Sequence, residues 1–184
     1  MEFELAWQGL KLGEHVFEYE VDRTFMITHG EEVTECKDIH AKVSLKFEKH
    51  ESFFLLHFDV DGKMTAPCDR CGDEFELVLW DEFDLLVKLS DPENIPEGTE
   101  EDADVVFIPR SETVIDVSKW IYEFVTLSIP LQKVHPDKAD GTPGCNEEAL
   151  RLLGKLAEQQ EATKKNDIWK DLASVKINTN NKRK

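Results

Sequence analysis

The 184 residues suffice for one domain with a substantial core plus a tail, and a chain that is 40% hydrophobic and 33% charged can offset its ordering entropy. Lys and Arg total 22 against 39 Asp and Glu, a net charge of -17, which disfavours wrapping naked nucleic acid through phosphate neutralisation and favours a basic partner instead. No apolar run approaches the ~20 residues that span a bilayer, and MEFELAWQGL lacks the basic and long apolar regions of a secretory signal, so a cytoplasmic location with reduced thiols is expected.

The first third reads as strands. Phe17, Tyr19 and Val21 alternate with polar neighbours, as do Ala41, Val43, Leu45 and Phe47, and then Phe54, Leu56, Phe58 and Val60. Lys49, His50 and Glu51 separate the last two runs, which predicts a hairpin. From Phe75 the odd positions Leu77, Leu79, Phe83, Leu85, Val87 and Leu89 stay apolar and predict one long or bent strand. A loop at 91–104 holds seven acidic residues, two prolines and no base, and a short strand at Val105 to Ile108 follows it.

Helices are expected only after residue 115. Asp116 can cap one that carries Val117, Trp120, Ile121, Phe124 and Val125 on one face and stops near Pro130. A second is expected to start at Asn146, with Glu147 and Glu148 in its first turn and Leu150, Leu153 and Ala157 on one face. A third, short amphipathic piece holds Ile168, Trp169, Leu172 and Val175. Strands followed by helices predict an α+β fold. We expect a mainly antiparallel sheet or partly closed barrel in the N-terminal two thirds, with two or three C-terminal helices packed on it. Residues 1–175 would form one domain, and 176–184 a basic, disordered tail.

The strongest local feature is CDRCG, with Cys68 and Cys71 between two strands. A redox Cys-x-x-Cys opens a helix whose dipole lowers the thiol pKa, whereas DEFELVL after this pair alternates like a strand. The second reading is a metal knuckle: two thiolates on a tight turn, eased by Gly72, grip one tetrahedral ion and leave two positions for other ligands. His135 in KVHPD and Cys145 in TPGCN are candidates for those, and Cys36 competes as a fourth. In the third reading all of these are ordinary thiols and a surface histidine. His15, His29, His40, His50 and His57 have no local partner of catalytic type. There is no phosphate-cradling glycine loop, no Gly-x-Ser-x-Gly and no His-Glu-x-x-His, and acidic clusters such as Glu100 to Asp102 lie in a solvated loop, so no enzyme activity is expected. Residues 164 to 184 carry seven bases against Asp167 and Asp171. Lys182, Arg183 and Lys184 at the end, with Trp169 nearby, are candidate binding residues.

The ordered set CDRCG, IDVSKWIYEFVTLSIP, KVHPD, GCN and WKDLASVK resembles the YceD family of large ribosomal RNA subunit accumulation proteins, most closely the form found in Bacteroidetes-type bacteria. The resemblance implies a non-enzymatic role in accumulation of large-subunit ribosomal RNA and in assembly of the large subunit. A ribosomal protein or large-subunit rRNA precursor would be the partner, with neither membrane nor small-molecule substrate. It implies Cys68, Cys71, His135 and Cys145 as the family's Cys/His positions and Trp169 and Leu172 as its terminal motif. The donor chemistry of the first four, not the resemblance, makes one structural zinc ion the expected cofactor. Asp167 stands where that motif often has proline, two residues before the tryptophan, which removes a fixed turn. The alternatives are a thiol redox protein using Cys68 and Cys71, or a zinc-stapled interaction module unrelated to ribosomes.

Overall fold

A computed structural model describes residues 3–30, 37–91, 93 and 104–164, with side chains only to residue 159 in the last helix. The chain forms two compact units, Met1–His135 and Pro136–Lys184. The first is built on a five-stranded sheet of β2 (Gly13–Asp22), β3 (Lys37–Lys49), β4 (Phe53–Pro67), β5 (Glu74–Ser90) and β6 (Val105–Pro109), in that order. The first four strands pair antiparallel and β6 joins β5 in parallel. The sheet is open and not a closed barrel. A small second sheet pairs β1 (Glu4–Leu5) with β7 (Ile115–Asp116). The class is α+β, as the order of strands and helices implies.

Period-two alternation explains the long strands. Val43, Leu45, Phe47, Phe54, Leu56 and Phe58 are all at most 1% exposed, while the polar residues between them point the other way. His50 and Phe53 close the β3–β4 hairpin at the expected place, where the His50 N–H donates to the Phe53 carbonyl (3.0 Å). The inner face is covered by two helices, α1 (Arg23–His29) and α2 (Ser118–Leu127). Val117, Ile121, Phe124 and Val125 are buried, and the Phe124 ring lies 4.9 Å from Phe58 and stacks at 4.5 Å on Phe83. Asp116 stands one residue before the N-cap, Val117, and its carboxylate accepts the Ser118 N–H (2.9 Å).

Helix α1 corrects the expectation that helices begin only after residue 115. Its N-cap is Asp22, whose carboxylate accepts the Phe25 N–H (2.8 Å), and it buries Phe25 and Met26. The run Thr24–Phe25–Met26–Ile27 is strand-like in composition, and seven residues are too few for helical periodicity to stand out. The N-terminal segment is pinned by Lys49, whose ammonium donates to the carbonyls of Trp7 (2.8 Å) and Leu10 (2.7 Å).

Strands β3 and β4 approach closely at Gly62. A Cβ there would meet the Ala41 Cα and Cβ and the His40 carbonyl oxygen at 2.6 Å, which is backbone that cannot swing aside. Gly62→Ala is expected to destabilise the protein by about 1–3 kcal/mol through overpacking. Gly9→Ala, with nothing within 4 Å of the new Cβ, should leave the melting temperature nearly unchanged.

In the second unit, α3 (Glu147–Lys164) starts where expected. The Asn146 side-chain oxygen accepts the Ala149 N–H (2.8 Å), and Glu147 and Glu148 occupy the first turn. Leu150 is half-buried, while Leu153 and Ala157 are exposed. Among the described residues no helix is long and apolar enough to cross a membrane.

Candidate metal centre

The turn between β4 and β5 carries the two cysteines. Pro67 pairs with Glu74, the last rung of the antiparallel ladder, so residues 68–73 reverse the chain within one tight loop. The Cys68 N–H donates to the Asp73 carbonyl (2.9 Å) and the Gly72 N–H donates back to the Cys68 carbonyl (2.8 Å). Gly72 sits at φ +80, in the left-handed region that a Cβ disfavours, with no neighbour within 4 Å of where a Cβ would stand. Backbone conformation, not crowding, accounts for glycine at this position.

The loop turns its N–H groups toward the first sulfur. Burial raises the Cys68 pKa, but hydrogen bonds from the backbone N–H groups of His135, Arg70 and Cys71, together with one from the His135 side chain, outweigh it and lower the thiol to about 6. These bonds favour the Cys68 thiolate, the form that both ligates metals and attacks electrophiles.

His135 arrives from far along the chain, and a clamp brings it there. The Asp69 N–H donates to the Lys133 carbonyl (2.7 Å) and the Lys133 N–H donates to the Asp69 carboxylate (2.6 Å), a reciprocal pair that fastens the segment after α2 onto the cysteine turn. Phe75 then packs its ring against the imidazole at a centroid distance of 4.6 Å. The result is a Cys71 Sγ to His135 Nδ1 separation of 3.4 Å, and the donor atoms of Cys68, Cys71 and His135 all lie within 4.8 Å of one another. Asp69 is a positioning residue that the residue pattern did not single out, because its partner is a main-chain group 64 positions away.

Cys145 is buried and belongs to the second unit, in the turn just before Asn146. Cys68, Cys71 and His135, all in the first unit, form a group that could hold a metal ion. The competing candidate Cys36 lies outside the described residues, as do Trp169, Leu172, Lys182, Arg183 and Lys184, most of the acidic loop at 91–104 and the amphipathic piece after residue 164.

Histidines without a local partner of catalytic type in the sequence find other partners in the fold. His57 Nδ1 stands 2.7 Å from the Asp84 carboxylate on the adjacent strand, and His15 Nε2 lies 2.9 Å from the Lys11 carbonyl. The first pairing is set by strand register, which connects residues 27 apart and leaves no trace in local spacing.

Comparison with curated proteins and with solved structures finds no match to either. A family model does match, over residues 56–176, a stretch that contains the cysteine turn, the clamp, His135 and Cys145. On that match the chain belongs to the family described as large ribosomal RNA subunit accumulation protein YceD.

Proposed function

We propose that this chain is a non-enzymatic accessory factor in accumulation of large-subunit ribosomal RNA and in assembly of the large ribosomal subunit, acting by binding a ribosomal protein or RNA. Family membership carries the reading. Charge supports the division of labour: a body that brings the chain to -17 suits a basic ribosomal protein, and the seven bases of residues 164–184 suit RNA. The protein works in the cytoplasm, where ribosomes are assembled.

One structural zinc ion held by Cys68, Cys71, His135 and Cys145 fits the donor chemistry. Three thiolates and an imidazole are a familiar zinc set, and a tetrahedral ion with ordinary Zn–S and Zn–N bonds places sulfur and nitrogen about 3.6 Å apart. The 3.4 Å between Cys71 and His135 comes close to that edge. Four protein ligands leave no open position for activating water, so the ion would staple the structure and not catalyse.

The lowered Cys68 pKa favours a second reading, a thiol redox protein. Thiol titration separates the two: a zinc site stays masked until a chelator removes the metal, whereas a redox pair reacts without chelation. For the assembly role, the full chain added to lysate fractions should co-sediment with large-subunit precursors at low salt and weaken as salt rises. Absence from those fractions at every salt concentration would count against it.

A further inference from the structure

The outward face of the sheet is laid out as cross-strand pairs of opposite charge. Lys42 meets Glu18 at 2.9 Å, Lys46 meets Glu14 at 2.9 Å, Lys63 meets Glu76 at 2.8 Å and Lys37 meets Glu74 at 2.6 Å. Such pairs keep an exposed antiparallel face close to neutral. One square departs from the pattern. His57 and Asp59 on β4 stand in register with Asp84 and Glu82 on β5, His57 opposite Asp84 and Asp59 opposite Glu82. Residues two apart on a strand share a face, so all four side chains project on the same side.

The square holds three carboxylates and one imidazole. Among the described residues no Lys or Arg makes an ion pair with Asp59, Glu82 or Asp84. On β3 the residues opposite His57 and Asp59 are Lys46, already bonded to Glu14, and Ser44. The geometry of the imidazole is specific. Its Nδ1 lies 2.7 Å from an Asp84 oxygen and its Nε2 lies 3.4 Å from an Asp59 oxygen. When the ring is neutral and its Nδ1–H donates to Asp84, the Nε2 lone pair faces Asp59. A metal-bound histidine is characteristically oriented in this way, with a carboxylate on its other nitrogen. The donor atoms of His57, Asp59 and Glu82 lie within 4.8 Å of one another.

We propose that His57, Asp59 and Glu82 form a second site, distinct from the cysteine turn, that takes a divalent cation of the Mn2+ or Zn2+ class, with Asp84 as the positioning residue. One imidazole and two carboxylates suit such ions better than the all-oxygen shell preferred by Ca2+ or Mg2+. Three protein ligands on an exposed face leave coordination positions open to solvent or to a partner's donor atom. The site rests on the sheet register alone and stands whether or not the cysteine turn holds zinc.

Mn2+ is the discriminating probe, because carboxylate and imidazole accept it while thiolates favour softer ions. Substoichiometric Mn2+ added to the full 15N-labelled chain should broaden the amide signals around residues 57, 59, 82 and 84 and leave those around 68 and 71 sharp. His57→Gln and Glu82→Gln should each abolish that localised broadening at the same Mn2+ concentration. Asp84→Asn, which keeps all three ligands, should weaken binding roughly 10–100-fold. All four side chains lie outside the core, so these variants should melt with the parent in metal-free buffer, which separates loss of the ligand from loss of the fold. Broadening scattered over the acidic surface without saturation, or localised broadening that survives both His57→Gln and Glu82→Gln, would overturn the proposal.

Discussion

On the proposed zinc reading, Cys71→Ser is expected to reduce bound zinc from one ion per chain to none and to lower the melting temperature to that of the chelator-treated parent. Cys71 is half-buried, outside the core cluster, in a turn whose shape comes from the backbone bonds between Cys68, Gly72 and Asp73, so the sheet should still fold. The loss should therefore appear as lost linkage and not as collapse. A ligand that binds only the folded state stabilises it by about 4 kcal/mol when its free concentration is a thousandfold above Kd, which sets the scale of the expected difference. His135→Ala and Cys145→Ser should do the same, and Asp69→Ala, which removes the carboxylate that receives the Lys133 N–H, should weaken zinc retention without removing a ligand. Metal analysis of the purified variants with paired melting curves checks the set. Undiminished zinc in Cys71→Ser would remove that residue from the site.

Phe58→Ala should cost about 3–5 kcal/mol, since it deletes a ring from a position with no solvent exposure and leaves a cavity the strands cannot fill. For a chain of this size that is a fall of roughly 6–20 °C in Tm. The ring stands under α2, 4.9 Å from Phe124, so the hole opens where the helix meets the sheet. Phe124→Ala removes the other half of the contact together with its stack on Phe83. The two deletions should be clearly non-additive, because the residues touch. Denaturant unfolding of the single and double variants measures the coupling, and strict additivity would contradict the packing described here.

Much of the sheet was legible because each long strand has one wet face and one dry face. Wherever that holds, as for Val43 to Phe47 or Phe54 to Val60, strict alternation marks both the strand and its core residues. Helix α2 was legible for a related reason, since its apolar positions recur at helical spacing in front of Pro130. Elements too short to show a period escaped: the seven residues of α1 and the two-residue strands β1 and β7. The parallel pairing of β6 with β5 also escaped, because pairing direction depends on the path of the intervening segment and not on the strand's own residues.

The candidate site divides along the same line. Cys68 and Cys71 announce themselves by their spacing, and His135, a candidate on sequence, stands 3.4 Å from Cys71. Asp69 and the His57 square did not announce themselves, because each owes its partners to contacts between residues distant in sequence. A carboxylate that binds a main-chain N–H 64 positions away, or a histidine facing an aspartate across a strand, becomes visible only once the chain has folded.

The proposed role in accumulation of large-subunit ribosomal RNA is tested most directly by the ratio of large- to small-subunit rRNA in cells depleted of this chain. The ratio should fall on depletion and recover when the intact chain is restored. An unchanged ratio, with normal large subunits on a sedimentation gradient, would contradict the assignment.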